Sequence, residues 1–364
     1  MTRLRSPQEL AAFRESILAE RDPDMPAVDV CVGTGCLAYG SDELAAAFRA
    51  EVEKRGLVGR VLVRPTGCPG FCERGPLVVV RPKGVFYQQV SIDDVPDIIQ
   101  ETVLGGRPVE RILYADPIAK GKVLHESDVP FYQRQTRIAL RHNGKIDPTD
   151  IRDYIAVGGY AAAAKALSEL SPESIIEAIA RSGLRGRGGA GFPTAAKWLA
   201  CRSASGEPKY VICNGDEGDP GAFMDRAIME ANPHSVLEGM LIGAYAIGAH
   251  QGFIYVRNEY PLAVANLRLA IQQAEEHGLL GDDVLGTGFS FHCRVSRGGG
   301  SFVCGESTAL MASLEGRVGE PRAKHTHTTE SGLWGRPSNL NNVETWANVP
   351  VIIERGADWF AGIG

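Results

Sequence analysis

Residues 182–198 read S-G-L-R-G-R-G-G-A-G-F-P-T-A-A-K-W, and no other segment combines so many glycines with flanking cations and an aromatic residue. Glycine adopts backbone dihedrals closed to other residues, so the N–H groups of such a loop can converge on phosphate oxygens. The cations add positive charge, and the aromatic side chain offers a face to a flat ring. The residues concerned are Arg185, Gly186, Arg187, Gly188, Gly189, Gly191, Phe192 and Lys197. The segment predicts a loop that holds a phosphorylated, ring-bearing ligand.

The segment G-R-G-G-A-G also matches G-x-G-x-x-G, the dinucleotide fingerprint that should follow a β-strand. Here the preceding stretch 172–181 has apolar residues at 175, 176 and 179 behind a Ser-Pro start, which is typical of a helix. The sequence therefore predicts a phosphate loop that is not of the Rossmann fingerprint type. A tight connection between two helices is the structural alternative.

The composition limits the class of protein. A chain of 364 residues with 44% hydrophobic residues, 23% charged residues and 43 glycines is typical of a globular α/β protein with two or three domains. A net charge of −6 argues against nucleic acid as a partner. The chain has no signal-like start and no long apolar run, so we expect neither secretion nor membrane insertion, and the cytoplasm is the expected compartment.

Four of the eight cysteines form a constellation in the first fifth of the chain. They are Cys31, Cys36, Cys68 and Cys72, with the spacing C-x4-C and C-x3-C. In a reducing compartment such clusters are more often metal or redox sites than disulfides. The two pairs suit a two-iron cluster, and nearby glycines leave room for N–H groups to approach the sulfurs. Zinc is the alternative, because pairs at this spacing also surround structural zinc ions.

Secondary-structure signals around these cysteines follow the order βαβ–β–β–α. The pattern predicts strands at 28–32, 60–64, 77–81 and 85–87, a helix at 41–55 and a closing helix after Ser91. A small helix at 7–20 precedes them. This order is that of a thioredoxin-like domain, which we place at 1–107.

Apolar residues lose their regular spacing over 108–130, which predicts a linker. A larger domain is expected at 131–364. Its early part shows a possible strand at 137–141 and helical patterns at 147–155 and 160–167. The later part alternates predicted strands at 209–213, 253–257 and 289–296 with helices. We expect an α/β domain of Rossmann-like type, in which the G-x-G-x-x-G match does not serve as the Rossmann dinucleotide fingerprint.

Three further polar or glycine-rich segments stand out, the first two after predicted strands and the third before a helix-like start. The first contains Asn214, Asp216, Glu217, Asp219 and Asp225, whose oxygens can accept hydrogen bonds from ribose, ribityl or ring N–H groups. A solvated turn or a cation site are the alternatives. The second, G-G-G-S-F-V-C-G-E-S-T at 298–308, resembles another phosphate-cradling loop. The third brings amides that can recognise a flavin edge, and these are Asn339, Asn341 and Asn342.

The cysteine pattern on a thioredoxin-like topology resembles the thioredoxin-like two-iron ferredoxins, including the small subunit of respiratory complex I. All four ligand positions are present. The resemblance implies a [2Fe–2S] cluster with Cys31, Cys36, Cys68 and Cys72 as its ligands.

Residues 110–350 resemble the flavin-bearing NADH-oxidising subunit of complex I and the related subunits of NAD(P)-linked hydrogenases and formate dehydrogenases. Four motifs carry the resemblance in this order: G-L-R-G-R-G-G-A-G-F-P-T-x-x-K-W, N-x-D-E-x-x-P-G-x-F-x-D-R, C-G-E-x-T-A-L-M-x-S-L-E-G and N-N-V-E-T. The resemblance implies FMN and NAD(H) or NADP(H) as cofactors. The implied binding residues are Gly186, Arg187, Gly188, Gly189, Phe192, Lys197, Asn214, Asp216, Glu217, Asp219, Phe302, Gly305, Glu306, Ser307, Asn341 and Asn342.

The implied activity is hydride transfer between nicotinamide and FMN, followed by single-electron transfer to iron–sulfur clusters, with no side-chain acid or nucleophile. The implied partners are iron–sulfur subunits of a multi-subunit oxidoreductase. Two alternatives remain: a flavin subunit with an altered dinucleotide site that receives electrons from a protein partner, and a non-catalytic scaffold subunit.

The sequence departs from the family pattern at several positions. Ser307 stands where the family usually has a second glutamate, and Ala200 and His327 stand where many members have aromatic residues. Loss of a carboxylate lowers the repulsion of a 2′-phosphate, so we expect weaker discrimination against NADPH. The family's later [4Fe–4S] motif does not occur before Gly364, so that cluster is expected only if the chain continues.

Overall fold

Two four-stranded β-sheets organise the two compact units of this protein. The computed structural model describes residues 3–118, 120–323 and 325–363. The smaller unit takes the described residues of 19–148, and the larger unit takes those of 1–18 and 149–364. The domain boundaries expected from the sequence differ from these limits and stay a prediction.

Helix α1 opens the chain, and the smaller unit follows it with six strands and four helices among its described residues. Helix α1 is Pro7–Ala19. The strands are β1 (Ala27–Cys31), β2 (Leu62–Thr66), β3 (Val78–Arg81), β4 (Val85–Tyr87), β5 (Tyr114–Ala115) and β6 (Lys122–Val123). The helices are α2 (Thr34–Leu37), α3 (Ser41–Lys54), α4 (Val95–Asp97, continued by the π-helix Ile98–Leu104) and α5 (Pro130–Gln133).

The main sheet of the smaller unit has the strand order β2-β1-β3-β4, in which only β1 and β2 run parallel. Helix α3 connects these two strands, as parallel pairing requires a crossover. It buries Leu44, Phe48 and Val52 at helical spacing against the sheet. The expected order βαβ–β–β–α and the thioredoxin-like fold class are confirmed.

The predicted strand at 137–141 is wrong, because the structure has turns over this segment. Tertiary contacts decide its conformation. Arg137 donates an Nη1–H bond to the carbonyl oxygen of Pro69 at 3.2 Å, and the Nδ2 amide of Asn143 donates to the carbonyl oxygen of Cys68 at 3.0 Å. The segment therefore follows the cysteine loop instead of pairing with a sheet edge.

Among its described residues, the larger unit alternates helices with four strands. Its strands are β7 (Tyr210–Gly215), β8 (Gln251–Val256), β9 (His292–Arg297) and β10 (Ser338–Asn342). Its helices are α6 (Ile151–Ala156), α7 (Ala161–Glu169), α8 (Pro172–Arg181), α9 (Thr194–Ser203), α10 (Met224–Ala231), α11 (Pro233–Ile247), α12 (Pro261–Glu276), α13 (Ser307–Leu314), α14 (Val343–Arg355) and α15 (Ala357–Ala361).

These four strands form one parallel sheet in the order β10-β7-β8-β9. Strands covered on both faces are expected to be continuously apolar, and the run Y-V-I-C of β7 is fully buried. Because all strands are parallel, their carboxyl ends meet at one edge of the sheet. The α/β architecture with a parallel sheet is confirmed, and the glycine loop at 182–193 does follow a helix, α8.

Helices α11 and α14 pack beneath this sheet at very short distance. A Cβ atom on Gly239 would lie 2.0 Å from the carbonyl oxygen of Trp346, and one on Gly243 would lie 2.3 Å from the Trp346 ring. Trp346 is fully buried, stacks on Trp198 with ring centroids 5.5 Å apart and donates its Nε1–H to the carbonyl oxygen of Ile212. Two glycines on one face of α11 thus make room for α14.

Helix α1 packs on the larger unit. It buries Leu10 and Ile17, and the ring of Phe13 stacks on that of His277 with centroids 5.6 Å apart. The backbone N–H of Leu4 donates to the carbonyl oxygen of His277 at 2.9 Å. In the part of the chain that the structure describes, no helix is long and apolar enough to cross a membrane.

Candidate functional site

The four clustered cysteines come together at the ends of β1 and β2. Cys31 ends β1, Cys36 lies in α2, and Cys68 and Cys72 lie in the loop after β2. The sulfur atoms of Cys68 and Cys72 are 3.1 Å apart. Hydrogen bonds from its thiol to Cys36 and Cys68 raise the pKa of Cys31, while the bond from Cys31 lowers the pKa of Cys36. All four sulfurs therefore belong to one contact network.

Glycines surround these sulfurs where any side chain would collide. A Cβ atom on Gly33 would lie 2.8 Å from the Cβ of Cys68, and one on Gly75 would lie 2.8 Å from the sulfur of Cys36. The N–H of Gly70 donates to the Cys68 sulfur at 3.2 Å. Backbone donors close to thiolates are a feature of iron–sulfur sites, so the residues present fit such a group.

The wall around the cysteines is apolar and aromatic. Phe71 stacks on Phe131 with ring centroids 5.0 Å apart. The residues that pack in the same cluster as Cys31, Cys36 and Cys68 are Leu77, Val79, Phe86, Tyr114, Val129 and Tyr132. The stretch expected to be a linker thus supplies part of the wall, and such a shell limits solvent access to a cluster.

The arrangement of the four sulfur atoms bears on whether the site suits a two-iron cluster or zinc. Among the described residues, no group of three or more His, Cys, Asp or Glu side chains is placed to hold a metal ion. Structural zinc needs four ligands converging on one ion, whereas a two-iron cluster takes its cysteines in pairs. Cys31 contacts both Cys36 and Cys68, and Cys68 contacts Cys72, so the four sulfurs can serve a two-iron cluster as two pairs of ligands, and the assignment of these four residues as ligands stays a proposal.

We predict that Gly75→Ala reduces the iron content of the purified chain by more than half. Gly75 has φ −69°, so alanine costs no backbone strain, and the loss arises mainly from the collision of its Cβ with the Cys36 sulfur at 2.8 Å, beside a contact of 3.3 Å with the carbonyl oxygen of Cys72. Iron per chain is measured after anaerobic purification. Gly56→Ala is the control, because its φ of +65° adds backbone strain while nothing lies within 4 Å of its Cβ position. Equal iron content in both variants would contradict the assignment of Cys36 as a ligand.

A second candidate site lies at the carboxyl edge of the parallel sheet. Asn214 of β7 is in register with Asn342 of β10, and Cys213 with Asn341. Side chains that follow these strand ends therefore meet, although they are more than a hundred residues apart in the chain. Open parallel sheets generally bind ligands at this edge.

The glycine loop reaches this edge at the start of α14. The N–H of Arg187 donates to the hydroxyl oxygen of Thr345 at 3.0 Å, and a Cβ on Gly188 would lie 3.4 Å from the Cβ of Asn342. Asn342 caps α14 by accepting from the N–H of Glu344 at 2.9 Å. Gly189, with φ +98°, has open space around its Cβ position. The loop thus presents its backbone beside a helix N-terminus, a favourable environment for phosphate.

The acidic loop after β7 lies on the other side of Asn214. Asn214 donates its Nδ2–H to the carbonyl oxygen of Gly305 at 2.9 Å, which joins this loop to the 302–305 turn. Asp216 pairs with Arg257 at 3.1 Å, and burial still raises the pKa of Asp216. The carboxylate of Glu217 accepts from two backbone N–H groups at the start of α10, those of residues 225 and 226. The cation-site alternative is not favoured, because these carboxylates already hold an arginine and a helix N-terminus.

Asp225 is the most perturbed carboxyl group of the site. Burial, and secondarily the charge of Glu217, raises the pKa of Asp225 to about 8. Its Oδ2 accepts a short hydrogen bond from the amide of Asn342. At neutral pH the group is therefore mainly protonated, so it can donate a proton in a hydrogen bond to a ligand atom.

Several buried polar atoms around this edge have no hydrogen-bond partner among the described residues. They are Asp216 Oδ2, Asp225 Oδ1, Asn339 Oδ1 and Asn341 Nδ2. Buried polar groups are normally paired, and an unpaired set points to a polar ligand or ordered water. Acceptors and donors beside a phosphate-type loop match the needs of FMN, so the residues present fit this cofactor.

The remaining predicted binding residues are placed as follows. Phe192 and Phe302 are exposed by 53% and 66%, and a Cβ on Gly218 would touch the Phe302 ring. Lys197 donates to the carbonyl oxygen of Leu340 at 2.8 Å. Asp219 is exposed on the acidic loop. Phe192 and Asp219 are thus not drawn into the network around Asn214.

Glu306 and Ser307 begin α13. The Glu306 carboxylate caps the helix by accepting from the N–H groups of Thr308 and Ala309 at 2.8 and 3.0 Å, and the Ser307 hydroxyl donates to the same carboxylate at 3.0 Å.

Sequence reasoning missed two members of the site, Arg257 and Thr345. Arg257 follows the end of β8, and Thr345 lies within the motif N-N-V-E-T. The sequence could have indicated both residues. Arg257 is a cation at the end of a predicted strand, and Thr345 is part of the motif N-N-V-E-T.

We predict that Asp225→Asn stabilises the cofactor-free chain increasingly as pH rises from 6 to 8. The pKa of this carboxyl group is about 8 in the folded state and lower in the unfolded state. The free energy of unfolding therefore falls as pH rises from the unfolded-state pKa to the folded-state pKa. The variant avoids this loss, which amounts to about 2 kcal/mol between these two pH values. Asparagine retains an acceptor for Asn342.

The measurement is the thermal unfolding temperature of both proteins at pH 6 and pH 8. Asp219→Asn removes an exposed carboxylate from the same loop and serves as the control. A variant whose advantage over the unsubstituted chain is equal at both pH values would show that Asp225 is not a raised carboxyl group.

Two family models match this chain. The model described as thioredoxin-like [2Fe-2S] ferredoxin matches residues 8–103, and that described as Nuo51 FMN-binding domain matches residues 179–351. The first range contains all four clustered cysteines. The second contains the glycine loop, the acidic loop, the 302–306 turn and Asn341 with Asn342.

Curated relatives are similar to this chain mainly over its larger part. The NADP-reducing hydrogenase subunit HndC of Solidesulfovibrio fructosivorans is 53% identical over 232 residues, which are 64% of this chain and 47% of that protein. An NADH-quinone oxidoreductase subunit of Escherichia coli (strain K12) is 48% identical over 59% of this chain and 49% of its own length. The NAD-reducing hydrogenase HoxS subunit alpha of Cupriavidus necator is 37% identical over 86% of this chain and 49% of its own length.

The chain spans about half the length of the curated relatives it matches. Among solved structures, the NAD+-reducing [NiFe]-hydrogenase in the H2-reduced state matches with a TM-score of 0.51 and 25% identity, over 97% of this chain and 59% of that chain. The similarity thus extends over both sheets of the fold.

Proposed function

We propose that this chain, which joins a thioredoxin-like [2Fe-2S] ferredoxin domain to a Nuo51 FMN-binding domain, exchanges hydride between NAD(P)(H) and FMN. It passes single electrons to iron–sulfur clusters of a larger oxidoreductase complex. The relatives named as NADH-quinone oxidoreductase and NAD(P)-reducing hydrogenase subunits support this class of activity. The partners are iron–sulfur subunits of such a complex.

One observation carries the proposal. The glycine loop, the acidic loop, the 302–305 turn and the Asn341–Asn342 strand end converge at one edge of the parallel sheet, where buried polar atoms have no partner among the described residues. Buried polar groups are normally paired, so a cluster of unpaired ones at this edge supports a polar ligand there. The convergence supports a bound flavin more directly than any single motif does.

Groups of the chain itself would bind the flavin and orient it. Gly188 lies against Asn342 at the N-terminus of α14, so the backbone of the glycine loop is placed to bind phosphate oxygens there. Asp225 holds its proton at neutral pH and can hydrogen-bond to a flavin acceptor, while Asn341 Nδ2 is a second donor for the flavin. The exposed ring of Phe192 can stack on a flat ring that enters from solvent. When bound, FMN accepts the hydride and the iron–sulfur cluster carries single electrons.

The cytoplasm is the proposed compartment. All eight cysteines are free thiols in the structure, and a reducing compartment keeps thiols in this state and available to a cluster. The potentials of the partners set the direction of electron flow, because a hydride donor and acceptor exchange reversibly at the same site.

The test is an anaerobic titration of the full purified chain with NADH and then with NADPH, followed by flavin and iron–sulfur absorbance together. We expect both chromophores to bleach. If flavin is bound but neither NADH nor NADPH bleaches it, the electron donor would be a protein partner and not a nicotinamide. Protein that binds no flavin would support a scaffold subunit, and metal without visible absorbance in the cysteine site would support zinc.

Ser307 supports a more specific proposal, that this chain discriminates weakly against NADPH. Ser307→Glu should raise KM for NADPH about tenfold relative to NADH, because it adds a carboxylate that repels the 2′-phosphate. Both donors are assayed anaerobically with an artificial acceptor. Ser307→Gln is the matched neutral control, and an equal change of the KM ratio in this variant would assign the effect to side-chain size and not to charge.

A further inference from the structure

We propose that an open cavity in the smaller unit binds the phosphate group of a small molecule, at a place separate from the flavin edge. The cavity has a volume of about 530 Å³, which is within the range of ligand sites in proteins. It is lined by residues of two segments, 81–84 and 125–145, and among them are Arg81, Glu126, Tyr132, Arg137 and Lys145. This site goes beyond the proposed function and does not rest on it.

The charge of this cavity is strongly positive. Five of its lining residues are lysine or arginine, and Glu126 is the sole carboxylate among the lining residues that the structure describes. Arg81 engages that carboxylate at 2.8 Å and pairs with Asp29 at 3.1 Å. Glu126 therefore neutralises Arg81, and the net charge of the lining residues stays positive and attracts an anion.

The cations of the cavity are held close enough to disfavour one another. Burial lowers the pKa of Lys145, and the positive charges of Arg137 and Arg81 lower it further, against the opposing effect of Glu126. Like charges that are brought together at one cavity lose repulsion when an anion binds between them. An anion in this cavity would thus relieve a repulsion that is already present.

Tyr132 supplies the independent sign of a ligand. Its side chain is only 6% exposed, and its hydroxyl group is buried without a hydrogen-bond partner among the described residues. The guanidinium of Arg137 lies over the Tyr132 ring, 4.5 Å from its centroid. A buried hydroxyl donor among cations is suited to an oxyanion.

Phosphate is the oxyanion that this set of donors fits best. A phosphate group carries nearly two negative charges and several strong acceptor oxygens, so it can use a hydroxyl and more than one cation at once. A single carboxylate would leave most of these donors unused. Arg137 is additionally fixed by its bond to the carbonyl oxygen of Pro69, so its guanidinium is oriented before a ligand arrives.

The cavity shares a wall with the cysteine site. Tyr132 lines the cavity and also packs in the apolar cluster that contains Cys31, Cys36 and Cys68. A phosphate-bearing ligand would thus bind one side chain away from the cysteine ligands. The cavity would therefore hold its ligand in the smaller unit, beside the cysteine site.

The test is calorimetric titration of the full chain, with its cofactors bound, by inorganic pyrophosphate at pH 7.5 and constant ionic strength. We expect saturable binding that Tyr132→Phe weakens about fivefold, the effect of one lost hydrogen bond. Lys145→Gln should weaken it by a similar or larger factor. Arg49→Gln is the control, because it removes one exposed positive charge from the same unit outside the cavity.

Weaker binding by Tyr132→Phe and Lys145→Gln, with Arg49→Gln unchanged within twofold, would support the site. If pyrophosphate binds the unsubstituted chain and all three variants with equal affinity, it binds outside the cavity, for example at the flavin edge. That result would overturn the proposed site. Equal weakening in Arg49→Gln would show general charge attraction and would also overturn it, and citrate binding as tightly as pyrophosphate would overturn the assignment to phosphate. Unchanged absorbance of the cofactors shows that each variant is folded.

Discussion

The close approach of α14 to α11 is the contact on which the flavin edge depends. Gly239 and Gly243 lie one helical turn apart on α11 and admit the Trp346 backbone and ring. Trp346 then fixes α14 to β7 through its bond to Ile212, and α14 begins after its cap, Asn342. The position of the cap, and of the glycine loop that contacts α14, follows from this packing. A side chain at either glycine would displace the whole edge.

Polar groups of the flavin edge have structural roles in addition to those expected from the motifs. Glu217 and Glu306 cap α10 and α13, and Asn342 caps α14. A carboxylate or amide that is held by a helix N-terminus has a fixed orientation, which is useful in a site that must bind a cofactor in one pose. The same arrangement leaves specific atoms of Asp225 and Asn341 without a partner among the described residues, and these atoms can serve a ligand.

In the smaller unit, close backbone packing and an apolar wall surround the clustered cysteines. Glycines permit backbone to approach the sulfurs, and an aromatic wall that includes Tyr114 and Tyr132 excludes water. Tyr114 and Val129 of this wall come from the stretch expected to be a linker, and Val79 and Phe86 come from the sheet itself. The expected linker also supplies His125, Glu126 and Ser127 to the cationic cavity, so a segment expected to be a simple connection contributes to both features.

Local properties of the chain are enough to predict many of the elements, the α/β class, the cysteine pairs and the glycine loop, because period, spacing and turn residues are all read over short stretches. Strand β10 is not among the predicted strands, and the predicted strand at 137–141 is wrong. Local properties do not reveal which side chains are left unpaired. The raised pKa of Asp225, the Arg257–Asp216 pair and the turns at 137–141 arise from neighbours distant in the chain. Burial and long-range charge decide them, and the buried hydroxyl of Tyr132 among cations is a fact of the same kind. Only the tertiary structure brings those neighbours together.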